Sequence, residues 1–130
     1  MLPRERIAAA IRDGARDGEP ALVAFLTAGY PRREQFRQQL AAVAAGADVV
    51  EIGVPFTDPM ADGVTIQRSS HEALRQGVSL QWILDELKAM PALRAPLLLM
   101  SYLNPLLSYG YERLAAAAAA AGVCGFIVPD

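Results

Sequence analysis

Three observations predict an α/β fold built on a parallel sheet. Short unbroken apolar runs recur along the chain, stretches with helical spacing separate them, and loops bearing Gly or Pro follow them. Apolar runs of this kind read as strands buried on both faces, and strands joined through helices are parallel to one another. With 130 residues, 53% of them hydrophobic and 20% charged, the chain has the material for one domain, residues 1–130, with one core.

The elements follow in order. The start, M-L-P-R-E-R-I-A-A-A-I-R-D, returns to charge after five apolar residues, too few for a signal-peptide core, and reads as an amphipathic helix. Residues 21–27, A-L-V-A-F-L-T, form the first strand and stop at Ala28-Gly29-Tyr30-Pro31. Residues 32–45 place Phe36, Leu40, Val43 and Ala44 among Arg, Gln and Glu, the pattern of a helix, with Gly46 as its stop. The second strand, 48–53, feeds a Gly/Pro-rich loop. Helices are expected over 64–76, closed by Gly77, and over 79–90, where Leu80, Ile83, Leu84 and Leu87 share one face. The third strand is 96–102, the alanine-rich run 114–121 is a strong helix, and 126–128 is a fourth strand. The longest uncharged run, 114–129, is too short to span a membrane and is broken by glycines.

Such an alternation fits an open doubly wound sheet or a closed β/α barrel. A weak internal echo leans toward the barrel: A-A-A-G-A-D-V-V-E-I-G-V-P ending at Pro55 against A-A-A-G-V-C-G-F-I-V-P ending at Pro129. In either fold the chemistry belongs at the carboxyl ends of the strands, where Thr27-Ala28-Gly29, Glu51 to Gly63, Tyr102 to Pro105 and Pro129-Asp130 fall. A net charge of -2 gives no footprint for nucleic acid or an anionic membrane. The single cysteine, Cys124, has no metal-ligand spacing around it and reads as a small buried residue in a reducing cytoplasm. No P-loop, G-x-G-x-x-G, HExxH or G-x-S-x-G is found, which disfavours nucleotide, zinc and serine-nucleophile chemistry.

What remains unusual is a pair of acids, Glu51 at the end of the second strand and Asp62 eleven residues later. An ionised carboxylate is costly to bury unless a site solvates or uses it. Standing alone, Asp62 before Val64 would read as a helix N-cap and Glu51 as a solvated or ion-paired strand end. Phe25, Met100 and Tyr102 would likewise pass as ordinary core. His71 is expected on the surface of the following helix, away from the strand ends.

The run E-I-G-V-P-F-T-D-P-M-A-D-G-V-T-I-Q from Glu51 resembles the signature of the tryptophan synthase α subunit family, E-x-G-x-P-[FY]-[ST]-D-P-x-A-D-G-P-x-I-Q. F-L-T-A-G-Y-P at Phe25, L-M-S-Y-L-N-P at Leu99 and G-F-I-V-P-D at Gly125 resemble that family's successive strand ends, in order. The departures are Val64, where Pro is usual, and Arg68, where an uncharged residue is commoner. The resemblance implies a (βα)8 TIM-barrel type fold of which this chain holds the first four βα units, a half barrel, since a whole barrel takes ~250 residues. It implies cleavage of indole-3-glycerol phosphate to indole and glyceraldehyde 3-phosphate, with Glu51 as general acid/base and Asp62 holding the indole N–H. Phe25, Met100 and Tyr102 match the indole pocket, while Pro55, Asp58 and Asn104 match positions that face a β subunit in an α2β2 assembly. It implies no metal and no cofactor on this chain, pyridoxal phosphate belonging to the β subunit. Because positioning supplies roughly 7 to 11 kcal/mol of a barrier, a half barrel without the later phosphate-binding loops is expected to be nearly inactive alone. The alternatives are a non-catalytic half barrel that docks a β-type subunit, and another phosphate-handling barrel lyase or isomerase, which the paired acids disfavour.

Overall fold

Every apolar run identified above becomes a strand, and the helices between them lie on one side of the sheet. The computed structural model describes residues 1–130. The order is α1 (Pro3–Gly14), β1 (Val23–Thr27), a 3-10 turn (Arg33–Gln35), α2 (Phe36–Gly46), β2 (Val49–Gly53), α3 (Val64–Arg75), α4 (Leu80–Ala89), β3 (Leu97–Met100), α5 (Leu103–Tyr109), α6 (Tyr111–Ala120) and β4 (Val123–Ile127). The sheet runs β1-β2-β3-β4 with all neighbours parallel. Sequential order with parallel pairing is the arrangement of β/α-barrel strands, and it excludes the doubly wound sheet, in which the order reverses.

Strand register divides the residues between two faces. Val50 and Ile52 of β2 pair with Leu97 and Leu99 of β3, and all four join Phe36, Leu40, Ile83, Leu84 and Leu87 of the helices in one buried cluster. The intervening residues, Phe25 paired with Glu51 and Glu51 with Leu98, then Thr27 with Gly53 and Gly53 with Met100, take the other face, because successive side chains in a strand point to opposite sides. A bulge in the β3–β4 pairing leaves Cys124 unpaired between Val123 and Gly125, and its thiol lies 3.5 Å from Arg6 Nη1 of α1.

Local chemistry explains the boundaries. Pro3 opens α1 where its missing N–H costs nothing, and Glu5 accepts the Leu2 N–H at 2.7 Å. Ser79 caps α4 by accepting the Trp82 N–H at 3.1 Å. Gly77, at φ +84°, makes the left-handed turn between α3 and α4.

Four expectations need correction. Strand β1 is not buried on both faces: Leu22 and Val23 are 53% and 45% exposed, because β1 sits at the sheet edge with β2 as its one neighbour. Helix α5 was not foreseen, since Tyr102 to Pro105 was placed only among the strand ends. Pro105 is the third residue of α5, inside the first turn, where a proline removes no intrahelical hydrogen bond. Asp62 is not the cap of α3; Gly63 holds that position and makes no side-chain cap. The fourth strand begins at Val123, three residues before its expected start, as the glycine-rich stretch continues the ladder through the bulge.

Candidate functional site

The carboxyl ends of β1, β2 and β3 surround a small cavity of about 10 Å³, room for one water molecule. Its walls include Phe25 and Thr27 from β1, Gly53 from β2, Met100 and Tyr102 from the end of β3, and Asp62 from the loop after β2. Sequence reasoning had singled out Phe25, Asp62, Met100 and Tyr102, and the fold brings these four together. A side chain on Gly53 would collide with the Phe25 ring, since a Cβ built there meets Phe25 Cζ at 2.5 Å. Gly53 therefore lets the ring lie flat across β2 and floor the cavity.

Glu51 does not line this cavity. It lies in the middle of β2, two residues short of the strand's end, on the same face as Phe25 and Leu98. It is half-buried, and burial alone pushes its carboxyl above the ordinary glutamate value of 4.5. A carboxyl desolvated without an opposing cation is the environment that turns an acid toward proton shuttling near neutral pH.

The loop carrying Asp62 is held at four places, one of them Asp62 itself, whose carbonyl accepts from Gln67 Nε2 of α3 at 2.9 Å. Val54 donates its N–H to the Met100 carbonyl at 2.9 Å, extending the ladder one residue past β2. The Ser70 hydroxyl of α3 accepts the Phe56 N–H at 2.9 Å and donates to the Phe56 carbonyl at 3.2 Å. The Ala61 N–H donates to the Tyr102 hydroxyl at 2.9 Å, and the Phe56 and Tyr102 rings stack at 5.4 Å. Burial pushes the Tyr102 phenol up, the Ala61 N–H draws it down, and the Asp62 carboxylate beside it pushes it up again. Between these anchors Thr57, Asp58 and Met60 are exposed, Met60 by 89%.

Sequence reasoning missed the hydroxyls beneath the loop. Thr27 Oγ1 and Ser69 Oγ share a 2.7 Å hydrogen bond, and Ser69 Oγ also donates to the Ile66 carbonyl at 3.0 Å. Ser69 and Ser70 follow Ile66 and precede Ala73 on the face α3 turns inward; a small polar pair on an apolar helix face was the available signal. Of the expected partner-facing residues, Asp58 and Asn104 are exposed, whereas Pro55 is buried and offers no surface. His71 is exposed, as expected, but it is not away from the strand ends. It lines a cleft of about 710 Å³ with Tyr30, Phe56, Thr57 and Arg68, between the loops that follow β1 and β2.

A cleft of about 470 Å³ at the opposite end of the strands, bordered by α1 and holding Arg6, Asp13, Asp48 and Arg94, contains none of these loops. Asp48 there accepts the Leu22 N–H at 2.7 Å and so joins β1 to β2. No three His, Cys, Asp or Glu residues gather closely enough to hold a metal ion, and no helix is long and apolar enough to cross a membrane.

The family described as tryptophan synthase alpha chain matches residues 11–130. A tryptophan synthase alpha chain from Nitratidesulfovibrio vulgaris is 52% identical over 99% of this chain and 51% of its own length. One from Acidiphilium cryptum is 51% identical over 96% of this chain and 46% of its own. Among solved structures, a ligand-free tryptophan synthase from M. tuberculosis superposes with a TM-score of 0.87 at 34% identity, covering 96% of this chain and 51% of that one. The tryptophan synthase alpha subunit of Legionella pneumophila gives 0.85 at 34% identity, covering 96% and 49%. The four parallel strands match the amino-terminal half of that barrel. The chain spans about half the length of the curated relatives it matches, and with the family match running over residues 11–130 it belongs to the tryptophan synthase alpha chain family.

Proposed function

We propose that this chain carries the proton-transfer half of a lyase site that cleaves indole-3-glycerol phosphate to indole and glyceraldehyde 3-phosphate. The observation that carries the reading is the gathering at the strand ends of Phe25, Met100 and Tyr102 beside Asp62, with Glu51 on the same face of the sheet. Flat apolar side chains with one or two placed polar groups are the chemistry an indole ring needs, and the loop bearing Asp62 must move outward to admit one, since the space between the walls is about 10 Å³.

The reaction needs one proton delivered to indole C3 and one taken from the glycerol hydroxyl next to the ring. The carbon-carbon bond then breaks as that hydroxyl becomes a carbonyl, and no net proton is gained or lost. Glu51, desolvated and unpaired with any cation, is suited to move those protons. Asp62 receives the indole N–H and stabilises the positive charge that grows on the nitrogen as C3 is protonated. Domain 1–130 is in this reading the amino-terminal half of a single barrel, and the half beyond it supplies the grip on the substrate phosphate. Asp58 and Asn104 face the β subunit, the pyridoxal phosphate enzyme, and Pro55 orients the loop from beneath. The setting is cytoplasmic amino-acid biosynthesis.

The test uses this chain completed to the length of its relatives with the matching segment of the Nitratidesulfovibrio vulgaris protein. The completed chain should release indole from indole-3-glycerol phosphate, and Glu51→Gln should lower kcat about 10²- to 10⁴-fold. The 130-residue chain alone should release almost none. A Glu51→Gln variant that keeps its turnover removes Glu51 from the chemistry.

A further inference from the structure

Three side chains hold the loop from Val54 to Gly63: the exposed Gln67 of α3, whose amide donates to the Asp62 carbonyl at 2.9 Å, and two buried hydroxyls from different elements. Ser70, on α3 and 4% exposed, uses its one hydroxyl twice on the same residue, accepting the Phe56 N–H and donating to the Phe56 carbonyl. Both polar groups of that backbone unit are thereby satisfied without secondary structure. Tyr102, 3% exposed at the end of β3, accepts the Ala61 N–H at 2.9 Å, one residue before Asp62, and its ring stacks on Phe56. The two anchored residues, Phe56 and Ala61, bracket the exposed segment and fix where the chain re-enters the cavity.

We propose that Tyr102 and Ser70 are positioning residues for Asp62: the two buried hydroxyls, bonded to the backbone at Ala61 and Phe56, set where the Asp62 carboxylate stands in the cavity. This rests on the reading of Asp62 as the indole N–H acceptor. Tyr102 then has two roles, its ring forming a wall and its hydroxyl holding the loop. Ser70 has only the second. Acting through the loop, Ser70 governs how well Asp62 meets the growing charge, which is felt in turnover more than in substrate affinity.

Two measurements test this together. The first is residue-resolved amide hydrogen exchange on the 130-residue chain. Tyr102→Phe keeps the ring and removes the hydroxyl, so the Ala61 N–H should exchange about tenfold faster. Ser70→Ala should do the same for the Phe56 N–H. The Val54 N–H, bonded to the Met100 carbonyl, should keep its rate in both and so separates local release from unfolding. The second is turnover of the completed chain: Ser70→Ala should lower kcat about tenfold with KM within about twofold, and Ser70→Thr, which restores a hydroxyl, should recover most of the loss. Unchanged exchange at Ala61 and Phe56 overturns the proposal, as does a Ser70→Ala enzyme with unaltered kcat. A completed parent chain that releases no indole refutes the lyase reading instead, and the exchange rates still decide whether the hydroxyls hold the loop.

Discussion

Leu99 and Leu98 are neighbours in β3 and live in different surroundings. Leu99 is fully buried under the helices with Ile52 and Val50, while Leu98 is partly exposed on the face that also carries Glu51 and Met100. The helix-side face is uniformly apolar, with Ala24 and Leu26 of β1, Val50 and Ile52 of β2, and Leu97 and Leu99 of β3 side by side. The other face mixes Phe25, Thr27, Glu51, Gly53 and Met100. One face is selected for packing alone. The other combines ring, carboxyl, hydroxyl and an absent side chain, a composition that packs poorly and suits binding.

The sharpest test of that contrast is a pair of truncations in the 130-residue chain, measured by urea unfolding. Leu99→Ala should cost about 2 to 5 kcal/mol, the usual loss for a buried leucine whose cavity cannot collapse. Leu98→Ala should cost about 1 kcal/mol, typical of a partly exposed site. Equal losses would mean that the two faces are not distinct in energy. A smaller effect is expected where a hydroxyl crosses between elements: Thr27→Val keeps the shape and removes the bond to Ser69, costing about 1 kcal/mol in the same measurement.

The smallest effect concerns pH. Burial raises the Glu51 carboxyl above 4.5, so the folded chain prefers its neutral form. The contribution of that group to stability is fully present below the unfolded value and is lost as pH rises through the raised folded one. Glu51→Gln removes this loss. The variant should therefore gain on the parent in thermal midpoint as pH rises from 4 toward neutrality, and a difference that is flat with pH would show that Glu51 is not desolvated by the fold.

The helix-side face was the more legible in the sequence, because it is written in runs of apolar residues with clear stops: Leu80, Ile83, Leu84 and Leu87 of α4 are all buried as their spacing foretold. The strand order agrees with the resemblance at Glu51 to Gln67. Less legible was anything that depends on a residue's neighbours across the chain. An apolar run does not disclose that its strand is an edge, so the exposure of Leu22 and Val23 was hidden. Pro105 concealed α5, since a proline that breaks most helices is harmless in a first turn. Pro55 carries no mark of burial, and Ser70 looks like any surface serine until Phe56 folds onto it. Of the site, Phe25, Asp62, Met100 and Tyr102 were marked only by the resemblance to the family, since each by itself passes as core or as a helix cap, and the barrel architecture brings them together. That Glu51 sits two residues deeper than Gly53 follows only from where the strand ends.

The anchoring of the loop at both ends also bears on how the protein would tolerate being cut. Thr57 to Met60 forms a short exposed bridge whose supports lie outside it, Phe56 on α3 and Ala61 on Tyr102. A protease acting at Met60 would sever the chain without freeing either support. The upstream stub would stay with α3, and the downstream stub would keep Asp62 beside the phenol. Nicking would loosen Pro59, one wall of the cavity, while the walls from β1 and β3 and the Asp62 carboxylate stay in place.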